Sequence, residues 1–138
     1  MEKIQFDSGM QRFRINGDGV LTFNPADPNL YARLQNMGQR LMQMEQMLSA
    51  HEGQDTLTLM TLADGEMKKE LNAVFPGNDF ETLLSGVNLL AITGDGKTVL
   101  ENFIDALTPI LCDGAEKCAQ HYANAAITQA QTRRGTQC

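Results

Sequence analysis

The stretch Asp27-Pro28-Asn29-Leu30-Tyr31-Ala32-Arg33-Leu34-Gln35-Asn36-Met37-Gly38-Gln39-Arg40-Leu41-Met42-Gln43-Met44-Glu45-Gln46-Met47-Leu48 decides the fold class. Leu30, Leu34, Met37, Leu41, Met44 and Leu48 recur at gaps of 4, 3, 4, 3 and 4. That spacing lays one apolar stripe along a helix, as in the seam of a helical bundle. Asp27 is a good N-cap, and Pro28 falls at the first helical position, where its missing N–H is harmless. A helix from 28 to about 49 is expected, roughly 30 Å long at about 1.5 Å per residue.

Upstream of this helix the pattern changes period. Phe13-Arg14-Ile15 and Val20-Leu21-Thr22-Phe23 flank Asn16-Gly17-Asp18-Gly19. Asn-Gly and Asp-Gly supply the positive φ angles of tight turns, so a hairpin is expected over 11–23. Ile4 and Phe6 alternate with polar neighbours and extend it to a third strand over Lys3–Phe6. Downstream, His51–Gln54 breaks the periodicity. A second helix is expected from about Asp55 to Val74, with Leu57, Met60, Met67, Leu71 and Val74 facing inward and Phe75-Pro76-Gly77-Asn78 ending it. Asp79 caps a short helix through Leu84, and 85–96 reads as irregular. A last helix begins near Lys97 or Thr98, carries Leu100, Phe103, Ile104, Leu107, Ile110 and Leu111, is kinked by Pro109, and continues from Ala115 to about Gln129. The expected fold is thus α+β, mostly α. A hairpin over about 3–23 precedes a bundle of three or four helices over about 27–130, with a frayed tail at 131–138, all in one domain.

Composition narrows the function. The chain has 138 residues, 42% hydrophobic and 20% charged, enough to bury a core. Eleven Lys+Arg against 17 Asp+Glu leave a net charge of −6, which argues against nucleic acid or an anionic membrane as partner. No apolar run approaches the roughly 20 residues of a membrane span, and residues 1–10 hold no apolar leader. Three cysteines without regular spacing suggest reduced thiols, and a cytoplasmic location is expected. Two His and no Trp leave little for conventional catalysis, so no enzyme, cofactor or metal is expected.

Three local patterns carry possible chemistry. Ala91-Ile92-Thr93-Gly94-Asp95-Gly96-Lys97-Thr98 fits a relaxed phosphate loop, in which backbone N–H groups and Lys97 would cradle phosphates and Thr98 would reach Mg²⁺. The plainer reading is a Gly-Asp-Gly turn into a helix, with Lys97 solvated. Cys112, Cys118, His121 and Cys138 contain the donors of a zinc set. Cys112 and Cys118 lie about 240° apart on a regular helix, so the set needs a break at Asp113-Gly114. Asn16-Gly17-Asp18-Gly19 and Gly94-Asp95-Gly96 lack the third ligand and closing Glu of a calcium loop and read as turns.

The methionines, eight in all, are more telling. Met37 and Met44 belong to the seam. Met42 lies on another face with Tyr31, eleven residues earlier, and Met47 is off the seam on the other side. Either the core wraps around this helix, or Tyr31, Met42 and Met47 contact a partner or a second copy. Methionine is unbranched and polarizable and suits adaptable surfaces.

The order of features resembles a known family. Phe23-Asn24-Pro25-Ala26-Asp27-Pro28-Asn29-Leu30-Tyr31 precedes the long helix. Phe75-Pro76-Gly77-Asn78-Asp79-Phe80, then Ser85-Gly86-Val87-Asn88-Leu89-Leu90, then Phe103-Ile104-Asp105-Ala106-Leu107-Thr108-Pro109-Ile110 follow it. This is similar to small tail proteins of the tail assembly chaperone type from phages and prophages of Gram-positive bacteria, over roughly residues 10–111. After Pro109 the chain departs from that pattern, with Cys112, Cys118 and an Ala-rich run. The resemblance implies a non-enzymatic protein. It would bind the long, apolar, helical tape-measure protein, with the tail-tube protein as a further candidate partner, and self-associate. The alternatives are a structural tail component, a dimeric helical adaptor, or a nucleotide-binding enzyme using the 94–98 loop.

Overall fold

The computed structural model describes residues 1–50 and 55–136; the side chains of Leu48 and of residues 126–136 are not described. The elements follow in the order β1 (Gln11–Ile15), β2 (Gly19–Phe23), α1 (Pro28–Ala50), α2 (Thr56–Val74), α3 (Phe80–Leu83) and α4 (Val99–Thr136). The described residues form a mostly α, α+β fold: one antiparallel hairpin followed by four helices. The break expected at His51–Gln54 lies outside the described residues, as do Cys138 and the side chain of Leu48.

Local chemistry fixes most boundaries. β1 and β2 pair from Gln11↔Phe23 to Ile15↔Gly19, and Asn16 (φ 40°) and Gly17 (φ 111°) take the left-handed conformations of the turn between them. Asp27 accepts the Asn29 N–H at 2.9 Å and starts α1. Asp55 and Asp79 cap α2 and α3 in the same way, accepting from Leu57 and Glu81. Thr98 and Glu101 form a capping box for α4: Glu101 N–H donates to Thr98 Oγ1 at 3.1 Å and Thr98 N–H to Glu101 Oε2 at 3.4 Å.

An aromatic chain ties these pieces together. Phe13 stacks on Phe23 (4.9 Å between ring centroids), Phe23 on Phe75 (5.0 Å), Phe75 on Phe80 (5.7 Å) and Phe80 on Phe103 (5.6 Å). It runs from the hairpin through the end of α2 and α3 to α4. Leu21, Leu30, Met37, Met67, Leu71, Val74, Leu89 and Leu107 complete the buried core. The outer edge of β2 is also tied. Asn78 Oδ1 accepts the Thr22 N–H and Asn78 Nδ2 donates to the Thr22 carbonyl, each at 2.9 Å. α4 crosses the chain near Pro25 so closely that a Cβ on Gly114 would lie 2.1 Å from the Pro25 carbonyl oxygen. Gly114 is therefore a contact point inside a continuous helix.

Several expectations are corrected. Residues 3–6 form no third strand; Ile4 and Phe6 are exposed. The arm does not pair with the free edge of β1. Leu57 and Met60 are exposed, whereas Ala63, Asp64, Met67, Lys68, Leu71 and Val74 form the inner face of α2. The periodicity marked the stripe but not how far the rest of the molecule covers it. Leu34 and Leu41 are half-buried, while Leu30 and Met37 are buried. α4 is continuous through Pro109 and Gly114 to Thr136, past the frayed tail expected from 131. The Ala-rich run favours helix.

This burial order gives a first expected outcome. Leu30→Ala should cost about 2–5 kcal/mol and Leu41→Ala clearly less, since the loss scales with the area and cavity removed. Urea melts of the two variants check it.

Candidate partner-binding face

α1 and α2 form an antiparallel pair. At the body end, Arg33 Nε donates to the Val74 carbonyl at 2.9 Å. Midway, Arg40 bonds Glu70 at 2.7 Å. Beyond that point the pair outruns the core. Met42 is 64% exposed, Met47 63% and Leu57 75%, and Met60 and Leu62 are exposed as well. Met44 and Leu59 are half-buried. The far part of the pair thus carries five large exposed apolar side chains from two helices. Their side chains are unbranched at Cβ, so they adapt to more than one shape.

Tyr31 does not belong to this face. It is half-buried, and its hydroxyl lies within hydrogen-bonding distance of the Pro25 carbonyl (2.7 Å) and of the Leu111 carbonyl on α4. Burial pushes its phenol above the usual value. Tyr31 and Met42 share a direction on α1, but α4 covers only the first turns. Met42 lies about 16 Å further along, at about 1.5 Å per residue. Tyr31 is a tie between α1 and α4, and the exposed apolar residues of the far part are Met42 and Met47, on opposite sides of the α1 seam, with Leu57, Met60 and Leu62 on α2. Sequence spacing picked out the two methionines. It missed Leu57 and Met60 because they continue a stripe that is buried further on, and Leu62 because it lies outside that stripe on the other side of α2.

The loop before α4 is closed on itself. Thr93 N–H donates to the Lys97 carbonyl (2.8 Å), and Gly96 N–H to the Thr93 carbonyl (3.0 Å). Asp95 Oδ1 accepts the Thr93 hydroxyl and the Lys97 N–H. Lys97 Nζ bonds Asp105 at 2.9 Å, and the Thr98 hydroxyl caps α4. The N–H groups of Thr93, Gly96 and Lys97 and the Lys97 ammonium are already engaged, and a carboxylate sits among them. The hydrogen bonds from Thr93 and Lys97 hold Asp95 below the usual carboxylate range. A depressed acid contributes stability above its unfolded pKa of about 3.9, and that is lost as pH falls through the lower folded value. Lys97→Ala should leave melting nearly unchanged, because an exposed ion pair is screened by solvent and adds little to stability. Nucleotide titrations of the parent and this variant should be flat; millimolar or tighter ATP binding lost in Lys97→Ala would contradict the turn reading.

Among the described residues, Cys112 and Cys118 are not brought together with a third donor. Cys112 is exposed and Cys118 half-buried on one unbroken helix, so the break that a zinc set requires is absent there. Among the described residues no group of three His, Cys, Asp or Glu side chains is placed to hold a metal ion.

The charged group that sequence reasoning missed is buried. Lys68 Nζ contacts Asp64 at 2.9 Å and Glu81 at 2.6 Å, and Asp64 Oδ1 accepts the Leu89 N–H at 2.8 Å. Burial alone would lower the Lys68 ammonium; the bonds to Glu81 and Asp64 outweigh it and hold the pKa above the ordinary value. This network joins α2, α3 and the loop before α4. The i, i+4 spacing of Asp64 and Lys68 was its only sequence signal. No described helix is long and apolar enough to cross a membrane. In comparisons with known proteins, no family model, no curated protein and no solved structure matches the chain.

Proposed function

We propose that this is a non-enzymatic tail assembly chaperone of a phage or prophage, acting in the bacterial cytoplasm. It covers apolar helical stretches of a tape-measure protein until tail-tube subunits close around them. The observation that supports this most is the far part of the α1/α2 pair, where Met42, Met47, Leu57, Met60 and Leu62 stay exposed outside the protein's own core. The resemblance of residues 10–111 supplies the identity of the partner. An exposed apolar tape measure would aggregate, and a cover with a net charge of −6 keeps the complex soluble. Flexible side chains bind such a surface adaptably and with modest affinity per site. Many copies along one chain then hold it collectively and can still be displaced.

The test is co-expression with the tape-measure protein. The parent should keep it soluble, while Met42→Asp/Met47→Asp should melt like the parent and fail to do so, because a charge is not buried cheaply in an apolar contact. A double variant that holds the tape measure as well as the parent would sink the proposal. So would one that unfolds as badly as Leu30→Ala, since these side chains would then belong to the core.

A further inference from the structure

A second exposed apolar feature lies at the other end of the chain. Five of the six phenylalanines form the aromatic chain, and Phe6 is the sixth. It is 78% exposed, and Ile4 is 88% exposed. Residues 1–10 form no helix or strand. In an extended chain Ile4 and Phe6 point to the same side. The root of this arm is held by Asn24: its Nδ2 donates to the Ser8 carbonyl at 3.3 Å, and a Cβ on Gly9 (φ +79°) would lie 2.5 Å from the same atom. Asn24 follows the Gln11↔Phe23 pair, so the arm runs on past the open end of the hairpin.

A receptor for such a segment exists on the same chain. A groove of about 320 Å³ lies between the hairpin and α4, lined by Phe13, Ile15, Leu21, Val99, Phe103 and Ala106 among others. A cavity of about 150 Å³ admits benzene, so this groove has room for a phenyl ring and a branched alkyl group. The outer edge of β2 is bonded to Asn78 at Thr22, whereas β1 is paired on one side only. Arg14 lines the groove and makes no ion pair among the described residues. The arm carries Glu2 and Asp7 against Lys3, which leaves residues 2–7 with a net charge of −1.

We propose that residues Glu2–Asp7 of one copy dock into this groove on a second copy. The arm adds a strand along the free edge of β1, with Ile4 and Phe6 entering the groove and Asp7, on the opposite side of the extended arm, next to Arg14. Main-chain bonds give such strand addition its affinity, and alternate side chains give it specificity. Reciprocal exchange closes a dimer; head-to-tail exchange builds an open chain of copies. The contact is separate from the α1/α2 face and leaves that face free for another partner.

The test uses the full chain with Cys112, Cys118 and Cys138 changed to Ser. One preparation carries Phe6→Cys and another Ala106→Cys. The two are mixed under mild oxidation and run on a non-reducing gel, beside a chain carrying both changes. The expected result is a disulfide-linked pair in the mixture. In parallel, sedimentation velocity should show association of the parent that is lost in Ile4→Asp/Phe6→Asp with melting unchanged. A doubly substituted chain that closes its disulfide within a monomer would overturn the proposal, since the arm would then fill its own groove. So would a mixture with no cross-link, or an Ile4→Asp/Phe6→Asp variant that associates like the parent.

Discussion

Lys68→Met should lower the unfolding free energy by about 3–5 kcal/mol, the usual loss when one partner of a buried ion pair is removed. The ammonium is almost fully buried between Asp64 and Glu81. Its removal leaves the Asp64 carboxylate enclosed against α2 with only the Leu89 N–H as partner. Glu81 is largely exposed and turns to water, which places the effect toward the lower end. Lys68→Met/Asp64→Leu should recover part of the loss, because it removes both charges together. The parent should carry a pH signature. A lysine whose folded pKa lies above its unfolded value of about 10.4 contributes fully below that value and loses its contribution as pH rises through the folded one. Urea melts across neutral to alkaline pH should show this step in the parent and not in Lys68→Met. A variant melting like the parent would mean that the pair only compensates its own desolvation.

Phe80→Ala should be comparably severe, about 3–5 kcal/mol, as for other fully buried rings. Phe80 is 0% exposed and is the link between Phe75 and Phe103. Its loss uncouples α4 from the hairpin and the end of α2. The melt should broaden as well as shift, because two parts of one cooperative unit would then unfold separately. Thermal melting followed by far-UV and near-UV circular dichroism checks this. Coincident, unshifted transitions would contradict the role assigned to the aromatic chain.

What the sequence made legible was the chemistry that acts within a few residues. Asn16-Gly17 announced the hairpin turn, and Asp27-Pro28, Asp55 and Asp79 announced helix starts. The heptad-like spacing from Leu30 announced the long helix. What it hid depends on which surface another element covers. Leu57 and Met67 carry similar periodic signals, yet one is exposed and the other buried, because the body ends between them. Tyr31 and Met42 share a direction on α1, yet α4 reaches only the first. Lys68 looked like a surface residue until Asp64, Glu81 and the loop at Leu89 closed around it. The strand expected at Lys3–Phe6 had the right alternation, but the arm runs on past the open end of the hairpin and does not pair with β1.

The central claim is that the far part of the α1/α2 pair receives an apolar helical partner. Hydrogen exchange of the full chain, alone and with a soluble helical fragment of the tape-measure protein, tests it most directly. Added protection should be concentrated in residues 42–50 and 56–62, with the loop at 93–98 unchanged. Protection confined to the 93–98 loop, or none anywhere at saturating fragment, would contradict the account.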